Sequence, residues 1–496
     1  MNDGSSVAVL AASLRNELSR YQEGEKLPSS RVLVARHQVS PVTLSRAIAT
    51  LAAEGLVVSR PGAGVFRAAA GRVTGTVGDV SWQEVALSAD PPLGAVAAGA
   101  AGVLATLTTP PPEVVDLNGG YLNAVLQPER ALAAALARAG RRPGTWSRPP
   151  VEGLPELRDW FARDIGGPGG SLNASDVLIT AGGQSALTTA LRSLAAPGAP
   201  VLVESPTYPG MLAVARAAGL RPVPVPVDAD GVRTDLLAEA FRATRARVFV
   251  CQPLFQNPTG TVLSPQRRTE VLRIARAAGA FVVEDDFARR LVHADSPPLP
   301  LPLAADDPDG VVVHVRSLTK AASPSLRIAA LSARGPVLER LRATQVVDSF
   351  FVPRPLQETT LELVGSPAWA AHLRALAGAL RERRTALLTA MGRELPTLLP
   401  HRPPLGGYHL WLRLPDGSDE RAVTAGALRR GVAVTAGGPY FTAEAPAPYL
   451  RLSYVSTPGT AQLEEGVHRL RRALAENAAL PADRTSVGAR EPVARP

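Results

Sequence analysis

From about Asp116 onward the chain alternates short β-branched runs with longer segments of helical spacing, and this alternation limits the fold more than any other feature of the sequence. The runs are VLIT (177–180), PVLVE (200–204), RPVPVPV (221–227), RVFVCQP (247–253), FVVEDD (281–286), VVVHV (311–315) and RIAALSA (327–333). Strands that take turns with helices predict an α/β fold around a largely parallel sheet. In such sheets ligands bind in the crevice beyond the C-terminal ends of the strands, so loops that follow these runs are where chemistry is expected. From about 356, long helical patterns and the strands YHLWLRLP (408–415), VAVTAG (432–437) and YLRLSYV (449–455) predict a smaller α+β subdomain. No internal repeat of fixed period is present.

At 496 residues the chain exceeds one ordinary domain. No apolar stretch reaches the roughly 18 uncharged residues of a membrane span, and the N-terminus carries acid and amphipathic spacing, so a cytoplasmic protein is expected. The single cysteine, Cys251, excludes an internal disulfide and a multi-cysteine metal site, and no metal is expected. Its apolar setting, VFVCQP, predicts a buried thiol. The net charge is +9, and its distribution is uneven: residues 26–67 hold six basic residues (Lys26, Arg31, Arg36, Arg46, Arg60, Arg67) against one acid, Glu54. A basic patch of this kind suits an anionic partner.

That span has a readable architecture. Val7, Leu10, Leu14 and Leu18 predict a helix over 7–20, and GEKLPSS breaks it. A second helix is predicted from Ser29 to His37. A third opens at Ser40, a good N-cap, with Pro41 at the tolerated first position, and ends at Gly55. LVVSRPGAGVFRA then reads as a hairpin around a Pro-Gly turn. Helices, turn and hairpin on a basic background make a winged helix-turn-helix. Residues 27–66, with LPSSR, VSPVTLSRAIATLAAEGLV and SRPGAGVF, resemble the GntR family of bacterial regulators. The resemblance implies that Ser29, Arg31, Thr43, Arg46 and Gly62 face double-stranded DNA, with the helix at 41–53 in the major groove. Pro41 replaces an arginine usual in that family, so one expected contact is missing. Residues 68–112, rich in Ala, Gly, Thr and Pro, read as a linker with a partly ordered helix around Ser81–Leu87. The expected division is a winged helix over 1–68, a linker over 69–112, a large subdomain over 113–355, a small one over 356–478 and a disordered tail over 479–496.

Only Lys26 and Lys320 are lysines, and the other 51 basic residues are arginines. Guanidinium holds its proton too tightly to attack a carbonyl, so a surviving lysine is a candidate for amine chemistry. Lys320 follows a buried strand in VHVRSLTKAASPSLRIAAL, with Ser317, Pro324 and Arg327 nearby. There an amine is placed to form a Schiff base with an aldehyde cofactor, while Ser317 and Arg327 hold a phosphate. In EDDF (284–287), Asp285 is placed to bond a protonated pyridine nitrogen. LITAGGQSAL (178–187) sets the N–H groups of Gly183 and Gln184 at a helix N-terminus, where phosphates bind. ESPTYPG (204–210) offers Tyr208 as a stacking ring, and QNPTG (256–260) offers Asn257 to a phenolic oxygen.

In this order these segments, with PGTWSRPPVEGLPELRDW (143–160), LGGYHLWLRLP (405–415) and YLRLSYV, resemble fold-type I pyridoxal-phosphate enzymes of the aspartate aminotransferase class. The resemblance implies pyridoxal 5'-phosphate as cofactor and Arg451 as the clamp of a substrate or effector carboxylate. A GntR-like winged helix joined to such a domain resembles the MocR family, and implies a homodimeric regulator that responds to pyridoxal phosphate or an amino compound. Two departures stand out. Phe287 replaces a usual tyrosine that bonds the cofactor's phenolic oxygen. Arg148, Pro150 and Val151 replace the tyrosine, aspartate and proline of a turn ending at Gly153. The expected function is a sensor-regulator with slow or vestigial transamination; the alternatives are an active aminotransferase with an appended DNA-binding domain, or a DNA-binding protein whose large domain only dimerises.

Overall fold

The computed structural model describes residues 3–18, 21–22, 24–60, 63–68, 83, 100, 102–104, 106–400 and 402–479. Most of the stretch read as a linker lies outside them, as do the helix expected at 81–87 except Gln83, the tail beyond Ala479, and Gly62. Two compact units divide between Ala89 and Asp90. No helix among the described residues is long and apolar enough to cross a membrane.

In the first unit, helix α1 spans Asp3–Glu17, α2 Ser30–His37 and α3 Pro41–Ala53. The Ser40 hydroxyl accepts the Thr43 N–H at 3.1 Å, so the expected cap fixes where α3 starts. Gly55, at φ +72°, turns the chain into the wing, β1 (Val57–Arg60) and β2 (Gly64–Arg67), which pair antiparallel with Val57 opposite Arg67. Leu10, Leu14, Leu33, Leu44, Leu51 and Val57 share one buried cluster, each such side chain contributing about 1.5–3 kcal/mol. Arg15 grips both Glu54 oxygens across this unit.

The first strand of the second unit is β3 (Val115–Asp116), and the unit is built on an eight-stranded sheet of β4 (Val177–Thr180), β5 (Pro200–Ser205), β6 (Arg221–Asp228), β7 (Gly231–Val232), β8 (Val248–Cys251), β9 (Phe281–Asp286), β10 (Val312–Ser317) and β11 (Ala329–Ser332), in the order β4-β11-β10-β9-β8-β5-β6-β7. All seven sequence runs are strands. β10, β9, β8, β5 and β6 run parallel in register, while β11 lies antiparallel between β10 and β4. The reason is local: residues 318–328 hold no helix, and a parallel return needs a crossover of a dozen or more residues. β4, β8 and β10 are buried along their whole length, as a sheet covered on both faces requires. Helix α4 (Gly183–Leu194) starts just after β4 and α5 (Pro209–Ala217) just after β5.

Toward the C-terminus, α6 (Pro367–Glu394) packs against α7 (Thr460–Ala479), and β12 (His409–Arg413), β15 (Tyr449–Ser453) and β14 (Thr435–Ala436) form a three-stranded antiparallel sheet. VAVTAG is therefore two short strands, because β13 (Val432–Ala433) leaves this sheet and pairs in parallel with β3. Leu117 donates to the Ala433 carbonyl at 2.9 Å and accepts from Ser453 at 2.7 Å, so the first residues of the unit belong structurally with its last ones.

Candidate functional site

Parallel pairing of β9 with β10 sets Asp285 opposite Val315 and Asp286 opposite Arg316, so both strands end on the same edge. Beyond that edge, one cavity is lined by Gly183, Gln184, Tyr208, Asn257, Asp285, Ser317, Lys320 and Arg327 together with Tyr121, Gln252, Phe287, Thr319 and Tyr408. Every residue expected to touch the cofactor lines it. Lys320 Nζ donates to the Gly120 carbonyl at 2.6 Å and lies 3.8 Å from the centre of the Tyr121 ring.

The phosphate end is built from α4 and the β10–β11 loop. Gly183 opens α4, whose first-turn N–H groups have no intrahelical acceptor. Gly182 sits at φ +90°, a backbone conformation that favours glycine, and a Cβ there would come 2.8 Å from an Arg327 nitrogen. Arg327 itself is at φ +48° and donates to the Ala181 carbonyl at 3.0 Å. A non-glycine residue held in this region costs on the order of 1–3 kcal/mol, the kind of strain found at ligand clamps.

Alternation along β9 sorts its three acids. Glu284 and Asp286 face away from the cavity: Glu284 pairs with His314 at 2.7 Å, and Asp286 with Arg289 at 2.6 Å and Arg316 at 3.0 Å. Asp285 faces the cavity. Burial pushes its carboxyl up to about 6, against the pull of the Gln252 amide, 2.7 Å away, and of Lys320. Phe287 closes the wall beside it, its ring meeting Tyr408 edge to face at 6.4 Å.

Arg451 does not line the cavity; it lies behind it, fully buried on β15, where Nη1 reaches Asn257 Oδ1 at 3.5 Å and Nη2 donates to the Asn118 carbonyl at 2.7 Å. Its Nε has no hydrogen-bond partner among the described residues, and no carboxylate there pairs with it. A buried cation without a counter-charge is costly.

Sequence reasoning missed Tyr121, Gln252, Thr319 and Tyr408. Gln252 and Thr319 carried a readable signal, each within two residues of the C-terminal end of a buried strand. Tyr121 and Tyr408 arrive from opposite ends of the unit by tertiary packing. Arg148, considered for the altered turn, is exposed and does not line the cavity.

On the first unit, Ser29, Arg31 and Arg46 are exposed. Thr43 is corrected: it is buried, its hydroxyl shares a hydrogen bond with Ser40 at 2.8 Å, and the residue serves the N-cap of α3 instead of facing outward. Val42, 60% exposed, takes the outward position. In the wing, Arg60 packs 4.8 Å from the centre of the Phe66 ring.

Comparison with known proteins matches residues 113–470 to aminotransferase class I and II and residues 7–66 to bacterial regulatory proteins of the gntR family. A 2-aminoadipate transaminase of Thermus thermophilus is 32% identical, covering 73% of this chain and 90% of its own length. The crystal structure of LysN, an alpha-aminoadipate aminotransferase of the same organism complexed with N-(5'-phosphopyridoxyl)-L-leucine, aligns with a TM-score of 0.70 at 31% identity, over 77% of this chain and 97% of its own. The HTH-type transcriptional regulator YdcR of Escherichia coli, itself uncharacterized, is 27% identical over 88% of this chain and 92% of its own. YdfD of Bacillus subtilis, likewise an uncharacterized HTH-type transcriptional regulator, is 25% identical and covers 90% of this chain, so its match reaches into the first unit.

Proposed function

We propose that this chain, which belongs to the aminotransferase class I and II family and carries a GntR-family helix-turn-helix ahead of it in the MocR arrangement, is a transcriptional regulator whose aminotransferase-like unit binds pyridoxal 5'-phosphate and senses an amino compound. The observation that carries the reading is the cavity around Lys320, in a chain that also holds a winged helix.

The residues present fit the cofactor. Gly182 and Gly183 bring the N-terminus of α4 close to Arg327 and Ser317, and the donors there (backbone N–H, Ser317 hydroxyl, Arg327 guanidinium) are those a dianion needs. When bound, pyridoxal phosphate supplies an aldehyde that condenses with an amine and a ring that withdraws electrons. Lys320 offers the amine, held by the Gly120 carbonyl. Asp285 offers a carboxylate to a protonated ring nitrogen, Tyr208 a stacking face and Asn257 an amide. Arg451, with no counter-charge among the described residues, suits the carboxylate of an amino-acid-like effector.

Sensing is preferred to turnover on two grounds. Relatives that span nearly the whole chain are named as regulators, whereas the transaminase match covers less of it. Phe287 brings no hydroxyl to the cavity, so a cofactor held there would lack one hydrogen-bond donor that tunes proton affinity. An amino compound bound beside Lys320 would change the charge in the cavity, and a ligand that prefers one state shifts the population. Absorption titration with an amine panel, paired with single-turnover keto-acid assays, decides: the expected result is spectral change with little turnover, and rapid multiple turnover with a common amino acid and keto acid would make the protein an enzyme.

DNA binding by the first unit is expected to weaken steeply with salt as phosphate contacts release counterions. Arg46→Ala should cost about 1–3 kcal/mol at a cognate site if it reads a base. Equal affinity of the wild type and Arg31→Ala/Arg46→Ala in a gel-shift titration would exclude this face. A homodimer is the assembly the reading implies.

A further inference from the structure

Gln252 is the first residue past β8, abreast of β9, where Cys251 pairs with Glu284. Its polar groups are taken up inside the protein. The backbone N–H donates to Glu204 Oε2 at 3.0 Å, side-chain Oε1 accepts the Asn257 N–H at 2.9 Å, and Nε2 donates to Asp285 Oδ2 at 2.7 Å. Which end of the amide is which follows from these partners: only the oxygen can accept from the Asn257 N–H, so the NH2 group must face Asp285. One side chain thus ties two cofactor-facing residues together, at 5% exposure.

We propose that Gln252 is a positioning residue that orients Asp285 and keeps it ionised, and thereby sets how tightly the cavity holds a cofactor with a protonated ring nitrogen. The proposal rests on the pyridoxal-phosphate reading above. An NH2 group can only donate, so it favours the carboxylate over the protonated acid. The titratable and charged groups that act on Asp285 are Lys320, Asp286 and Glu284, with Glu204, Tyr208 and Cys251 also coupled to it electrostatically. Lys320 and the Gln252 amide favour its ionised form, while burial and the neighbouring acids oppose it. Burial also lifts Glu204 to about 7, so it is not a fixed counterweight. With its carboxyl raised to about 6, Asp285 pairs with a cation above that pH and loses the pairing as pH falls through it.

The test is pyridoxal-phosphate affinity of the full chain as a function of pH, read by absorption and fluorescence quenching. Gln252→Glu keeps the acceptor for Asn257 at nearly the same shape and replaces the donor, and Gln252→Met removes both bonds at similar volume. Both are expected to weaken binding at neutral pH roughly 10- to 100-fold, the size of one hydrogen bond to a charged group, and to move the acid limb of the binding curve upward by about one to two pH units. In an Asp285→Asn background neither change should weaken binding further. Weakening with an unmoved pH limb, or the same loss with and without Asp285, would show a merely structural role and overturn the proposal. If Gln252→Met does not fold, Gln252→Glu decides alone. Failure of the wild type to bind pyridoxal phosphate would instead defeat the reading of Lys320.

Discussion

Lys320→Ala will abolish covalent retention of pyridoxal phosphate, and Lys320→Arg will do the same while keeping the positive charge. The reason is chemical: a guanidinium cannot serve as the amine nucleophile, and the only other lysine, Lys26, lies in the other unit. Borohydride reduction of the wild type followed by peptide mapping should place the adduct at residue 320. The arginine variant separates bond formation from electrostatic attraction, because it should still attract the phosphate weakly and reversibly. An adduct at Lys26, or none at all, would leave the cavity without its chemistry, and the third reading, a domain kept only for dimerisation, would gain.

Arg316→Met is expected to destabilise the second unit by about 3–5 kcal/mol, the usual result of removing one partner from a buried charge cluster. Arg316 is fully buried and joins Asp164 to Asp286, with Arg289 bonding Asp286 from the other side. Methionine fills the volume but removes the one cation shared by the two carboxylates, leaving Arg289 on Asp286 and Arg290 on Asp164. The pH dependence has a defined sign. Burial pushes the Asp286 carboxyl up, but Arg316, Arg289 and His314 outweigh it and hold it down to about 2. A depressed carboxyl contributes stability that is fully present above its unfolded value of about 3.9 and is lost as pH falls through the folded value. The variant's deficit should therefore be largest near neutral pH and shrink in acid, as Asp286 protonates. Urea unfolding of wild type and variant across this range measures it; a loss under about 1 kcal/mol at neutral pH would show that the cluster is not what braces β9 behind Asp285.

Both effects meet on one strand. Alternation sends Asp286 to the brace and Asp285 to the cavity, and EDDF is short enough for that to be read directly. The sequence alone determined much of this kind: seven strands from their β-branched runs, the start of α3 from Ser40 and Pro41, the two strands of the wing from their short β-branched and aromatic runs, and Lys320 from its rarity among arginines. Each of these is decided within a few residues, by the period of burial, a cap bonding the next turn, or the chemistry of one side chain.

Other features were settled only by tertiary structure. Residues 115–116 are too short to show a period, and nothing near them names β13, more than 300 residues later, as partner. Thr43 was expected to face outward from the helix at 41–53, yet it is buried and its hydroxyl shares a hydrogen bond with Ser40, the N-cap of α3. Tyr121 and Tyr408 meet Lys320 only because the two ends of the second unit close over the sheet edge, and Gln252 finds Asp285 only because β8 and β9 lie side by side. Local hydrogen bonds and side-chain periods act between residues a few positions apart, so they are written in the sequence. Which distant segments pair is chosen by which arrangement buries the most apolar surface while satisfying every buried polar group, and that is a property of the whole fold.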